Sequence, residues 1–442
     1  MKIKTINIFL NALLSFMAIS TFISCVKELD FSTVREGNEK GLLVVEATLT
    51  DEFKRQKVYL SRSDIRLDLE TDTIYNPFIP LGIGPRDSVN VEQNASIRVI
   101  GSDGSDFGFS EAESGTYLSE QPFALQNDLV YRMEITTADG KEYVSEPLEI
   151  KGTSEITDVY AERTVSDLGI EGIAIYVDSQ PTDGMPMNYR YTYEETYKII
   201  APFWDDEDFL LTNYDPCALP EPTYNLEIVP RTVQNRVCYN TVQSNTIEQV
   251  STTGNAAPNV ERFQVRFIDR IDFIISHRYS ILVRQLVQSI EAYSFYETLK
   301  KFSETESLFS QIQPGALVAN VTRKDGNPEN VLGYVEAVSV SEERIFFDYV
   351  DFFPGEELPP YPFNCGEHSS PESHRSYCAS GPDGGDPCPQ SIIERVHLGL
   401  ITYTGNNDEN IGSCPGPYKY VARICGDCTL LGENVVPDFW IE

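Results

Sequence analysis

From Gly41 onward, apolar and polar residues alternate with a period of two. In LLVVEATLT, Leu43, Val45, Ala47 and Leu49 share one side, and KVYLS adds Val58 and Leu60. Successive side chains of a strand leave opposite faces, so this period predicts half-buried β-strands. ASIRVIG repeats it with Ala95, Ile97 and Val99. In YRMEITTADGKEYVSEP, Tyr131, Met133 and Ile135 turn inward, Arg132, Glu134 and Thr136 turn outward, and Asp139-Gly140 supplies a hairpin turn. Short strands separated by turns over 41–150 predict an N-terminal β-sandwich of immunoglobulin-like or prealbumin-like type. A long Pro- and Asp-containing loop from Leu67 to Asn90 interrupts it.

A second set of strands fills 151–350 and reads as a fibronectin-like sandwich. Within it, Tyr189, Tyr191 and Tyr193 line one face of a strand. Such a stripe serves as a sugar platform or, more simply, as cross-strand packing. A polar insertion over 201–258 carries Cys217 and Cys238. The period changes to three and four in SIEAYSFYETLKKFSETES, where Ala292, Phe295, Tyr296, Leu299 and Phe302 recur on one side. A helix over 289–305 follows, with Ser289 as its N-cap and the sandwich edge beneath it. Residues 351–442 are rich in Pro, Gly and Cys and predict an irregular, disulfide-bonded region packed on the second domain, without a core of its own. The expected fold class is mainly β: tandem β-sandwiches, one packed helix and a Cys-rich C-terminal region.

The N-terminus has a different pattern. Residues 1–24 pair an early Lys2 and Lys4 with an apolar run, the layout of a secretory signal peptide. Phe22-Ile23-Ser24-Cys25 resembles a bacterial lipobox, with Phe22 where that pattern usually has Leu. The resemblance makes Cys25 the acylated first residue of the mature chain. Lys27, Glu28 and Asp30 then resemble the short Lys-acidic export motif of Bacteroidota surface lipoproteins. Residues 25–40 are polar and read as a lipidated tether, so the outer-membrane bilayer is an expected partner through Cys25. Two Asp-Ser/Thr-apolar triplets resemble O-glycosylation sites of exported proteins in that phylum and mark Thr73 and Ser88.

Charge narrows the partners. A formal net charge of −34 repels phosphates, which argues against nucleic acid and holds the body off an anionic bilayer. Nine cysteines leave eight once Cys25 is set aside: Cys217, Cys238, Cys365, Cys378, Cys388, Cys414, Cys425 and Cys428. In an exported chain they predict up to four disulfides, with Cys217 paired to Cys238 as the isolated couple. Cys425-Gly426-Asp427-Cys428 has C-x-x-C spacing, which also suits redox chemistry or half a metal site.

The residues for catalysis are sparse. Four histidines, His277, His368, His374 and His397, accompany no G-x-S-x-G, H-E-x-x-H or phosphate-loop motif. Acidic runs at Asp205-Asp206-Glu207-Asp208 and Asp383-Gly384-Gly385-Asp386 are candidate calcium loops, neither with EF-hand spacing. No catalytic residue, metal or cofactor is assigned.

Taken together, YRMEITTADGKEYVSEP, YRYTYEETYKIIAPF, HRYSILVRQ, the distinctive SLFSQIQPG of Ser307–Gly315 and the terminal CGDC with VPDFW resemble the Bacteroidota lipoproteins grouped as domain of unknown function 4249. The resemblance covers nearly the whole mature chain. It implies a surface lipoprotein, often encoded beside TonB-dependent outer-membrane transporters, and assigns no chemistry. The expected function is a noncatalytic accessory or binding subunit of such a transporter or another outer-membrane barrel. A structural or adhesive envelope lipoprotein and an extracellular polymer hydrolase are the alternatives.

Overall fold

The computed structural model describes residues 41–63, 90–219, 222–303, 319–327, 329–372, 391–410 and 415–442. The first unit holds β1 (Leu43–Thr50), β2 (Lys57–Arg62), β3 (Asn90–Val91), β4 (Ser96–Gly101), β5 (Asp106–Glu113), β6 (Thr116–Ser119), β7 (Tyr131–Thr136) and β8 (Glu142–Ser145). Alternation decides which side is buried: Leu43, Val45, Leu49, Val58, Leu60, Ile97, Val99, Met133 and Ile135 all enter one core. The β7–β8 turn closes as predicted, with Gly140 at φ +80 and its N–H bonded to the Thr137 carbonyl at 2.8 Å.

The second unit follows with β9 (Ser154–Val165), β10 (Glu171–Pro181), β11 (Asn188–Ile200), β12 (Glu207–Asp215), β13 (Thr223–Pro230), β14 (Val237–Gln243), β15 (Glu248–Ser251), β16 (Val260–Asp269) and β17 (Tyr279–Gln288). The helix α1 (Ile290–Ser303) comes next, then β18 (Val321–Arg323) and β19 (Leu332–Phe347). The sheet β16-β10-β9 faces β14-β11-β17-β19 across a shared core. Tyr189, Tyr191 and Tyr193 lie in that core, Tyr191 stacked on Phe263 at 5.0 Å, so the stripe is packing.

One strand joins the two units. The first half of β19 runs parallel to β1, from Val44 opposite Leu332 to Thr50 opposite Val338. Its second half runs antiparallel to β17, from Val287 opposite Ser339 to Tyr279 opposite Phe347. The result is a continuous 14-stranded sheet through both units. Gly333 permits the close approach: its φ is +83, and a Cβ there would lie 2.2 Å from the Val45 carbonyl oxygen. At the far edge, β18 pairs with β8, and Asn320 hydrogen-bonds both the N–H and the carbonyl of Val335, at 3.0 and 2.7 Å. The first-unit sheet therefore curls back onto β19. Val321, Val331, Val335 and Ala337, placed by sequence in the second domain, complete the first unit's core instead.

The C-terminal region contains α2 (Tyr349–Phe352), β20 (His368–Ser369), α3 (Ile392–His397), β21 (Ile401–Asn406), β22 (Tyr418–Ala422) and α4 (Arg423–Gly426). Contrary to the sequence expectation, it has a small core. Ile392, Ile393, Ile401 and Tyr420 pack with Phe209, Leu211, Tyr224 and Leu226 of the β12–β13 hairpin. The insertion supplies the apolar surface that the C-terminal segment lacks alone.

Candidate functional site at the seam of the two units

Where β1, β19, β17 and β11 lie side by side, α1 crosses the outer face of the sheet. Ser289 caps it, accepting from the Ala292 N–H at 3.1 Å, and Ala292 and Phe295 pack on Tyr334 of β19. This cover buries β19 on both faces from Tyr334 to Ser339, which explains why alternation is lost there. Polar residues trapped below the helix must find partners among themselves.

Most do so around Glu336, the buried Arg190 Nε excepted. Its Oε1 accepts from the Thr48 hydroxyl at 2.8 Å, and its Oε2 accepts from the Gln288 amide at 2.8 Å. Arg190 donates Nη2 to the same carboxylate, and its guanidinium lies 4.2 Å from the ring centroid of Tyr296 on α1. Burial opposes the Arg190 charge, but Glu336 outweighs it and raises the pKa. Burial, then the nearby Glu336 carboxylate, pushes the Tyr296 phenol up. Both carboxylate oxygens of Glu336 are engaged, so this cluster fastens four strands and a helix together.

Beside it opens a cleft of about 200 Å³, bordered by Glu146, Lys151, Ser289, Glu291 and Tyr334. Burial first, then the Glu291 and Glu146 carboxylates, pushes the Tyr334 phenol up to about 12. The cleft presents a neutral tyrosine, carboxylates and the Lys151 ammonium, a polar lining of mixed charge.

Cys25, Lys27, Glu28, Asp30, Thr73, Ser88, Cys378, Cys388, Cys414, His374 and the Asp383–Asp386 run fall outside the described residues. The Cys217–Cys238 pairing is corrected: Cys238 bonds Cys428, and Cys365 bonds Cys425. Cys217 is disulfide-bonded as well. Cys238 sits on β14, whose backbone pairs with Glu433 near the C-terminus, so the staple ties the insertion to the tail. The two cysteines of C-x-x-C take different partners and are fully buried, which makes the motif a double clasp.

Asp208 is held by Arg231 at 3.0 Å and by the Thr402 hydroxyl at 3.1 Å, and Asp205 accepts from the Glu207 N–H. Among the described residues, no group of three His, Cys, Asp or Glu is placed to hold a metal ion. His277 is half-buried, and burial followed by the Lys198 charge lowers its pKa. His397 lies against Tyr214 and His368 near Tyr420, at ring distances of 4.5 and 6.2 Å. Sequence reasoning passed over Arg190 and Glu336. Their trace is a charge inside an otherwise uncharged run, Arg190 among tyrosines in MNYRYTY and Glu336 in GYVEAVSV.

No curated protein matches the chain. A crystal structure of a DUF4785 family protein from Legionella pneumophila aligns with a TM-score of 0.16 and 9% identity, over 55% of this chain and 52% of that one. The chain thus spans about half the length of that protein. Residues 27–344 match the model of the domain of unknown function DUF4249, and the chain belongs to that family.

Proposed function

We propose that the protein is a lipid-anchored accessory subunit on the outer face of the outer membrane, docked on a TonB-dependent transporter or other barrel and acting in capture or presentation of cargo. The observation that carries this reading is where the body begins relative to Cys25. Gly41 follows the 25–40 tether directly, and Leu42 is bonded in both directions to Ser63 at the end of β2. β1 and β19 start together at that pole and run parallel, so β19 points away from the anchor. The second unit and the clasped C-terminal region are carried at its far end. A stiff body of this kind on a short acylated tether suits an extracellular binding role. At about 0.8 kcal/mol per buried CH₂, two or more acyl chains hold it stably.

The test is affinity capture of the full chain from native outer membrane in mild detergent, with mass spectrometry of what co-purifies. A stoichiometric barrel is the expected result. A solitary lipoprotein, or one shielded from protease in intact cells, would overturn the reading.

A further inference from the structure

Beside the C-terminal region, the end of the second unit opposite Gly41 presents three adjacent turns. β9 returns to β10 through Ser166–Ile170, with Ser166 N–H bonded to the Ile170 carbonyl at 2.8 Å. β16 ends at Asp269, and Arg270 N–H bonds the Glu171 carbonyl at 3.0 Å, which brings the next turn alongside. β19 ends at Phe347 and leads into α2. Arg163 and Arg270 tie the three together, each paired with both Glu171 and Glu356 at 2.6 to 3.1 Å.

Turns ordinarily present Gly, Asn, Asp or Ser to water. Here they present aliphatic side chains: Leu168 is 86% exposed, Ile271 63%, Val165 59%, Val350 59% and Ile170 40%. An apolar group concentrated on adjoining turns marks an interaction surface. The four ion-paired groups cancel, and Asp167, Asp269, Asp351 and Glu357 are chain neighbours of the patch and its ion pairs. These carboxylates repel a second copy and an anionic bilayer alike.

We infer that this pole is a protein-docking surface that takes an apolar recess edged by Lys or Arg, and that in the assembly proposed above the recess lies on the extracellular loops of the barrel. The inference rests on the docking reading. Reach does not prevent it. The 16 residues from Cys25 to Lys40 can span roughly 50 Å at about 3.3 Å each, close to the length of the 16-residue β19, so the distal pole can turn toward the membrane.

The experiment places a photo-reactive amino acid at Leu168 in the full-length, membrane-anchored chain and identifies the cross-linked species in living cells. In parallel, the barrel recovered by affinity capture is compared between the native chain and Ile271→Asp. The expected result is a cross-link to the co-purifying barrel, with recovery lowered by more than about tenfold in Ile271→Asp, as for loss of an anchor residue. Asp167→Lys with Asp351→Lys should lower it too. Cross-linking to another copy, to lipid, or to nothing overturns the inference, as does unchanged recovery. If the native chain brings no barrel, the docking reading itself fails. Both variants alter exposed side chains, and an unchanged thermal midpoint verifies their fold.

Discussion

Arg190 and Glu336 occupy strands 146 residues apart in sequence, yet each is the other's main charge partner. Removing one leaves the other buried without its charge partner. Arg190→Met should therefore cost roughly 3–5 kcal/mol in urea unfolding, while Glu336→Gln, which keeps an acceptor for Thr48 or Gln288, should cost less. His277 gives a pH test. Its native pKa lies below the ordinary 6.5 because burial and Lys198 disfavour the cation. Its contribution is intact above that value and is lost as the pH falls toward the native one, because the unfolded chain takes up the proton first. Stability should fall as the pH drops through about 6.5, and His277→Gln should flatten that part of the curve. At this scale the inward residues of β1, β2, β4 and β7 were legible in the alternation. The partners of Arg190 were not, since nothing local relates β1, β11, β17 and β19.

Among the elements, α1 is the clearest case of legibility: predicted over 289–305 with Ser289 as cap, it spans Ile290–Ser303 and is capped by that residue. Its 3.6-residue period is a local property. The disulfides are the opposite case. Spacing put Cys217 with Cys238, but Cys238 bonds a residue 190 positions away, because β14 lies against the tail. Closing a loop that long is worth about 5 kcal/mol by the chain-entropy estimate. Cys238→Ala with Cys428→Ala should lower stability by up to that amount and admit protease to the last turn of the chain. Phe439 stacks there on Arg344 at 3.6 Å, and Trp440 packs against Tyr239 at 4.9 Å. A nonreducing peptide map should recover Cys238 joined to Cys428.

For the whole molecule, the continuous sheet makes the two units one body, with β19 shared between them. If Cys25 anchors that body, Cys25→Ser should move the chain from the membrane to the soluble fraction on cell fractionation, and a chain that stays membrane-bound would count against the tether. The sequence by itself determined the mainly β class, the inward face of most strands, the packed helix and the family. Each follows from periodicity or from a contiguous motif. Only the tertiary structure decided that β18 and the first half of β19 belong to the first unit, that the insertion and the C-terminal segment share a core, which cysteines pair, and that Arg190, Glu336 and Tyr296 meet under α1. Those outcomes depend on contacts between segments far apart in the chain. A short apolar run fits several strand neighbours equally well until the rest of the sheet is in place.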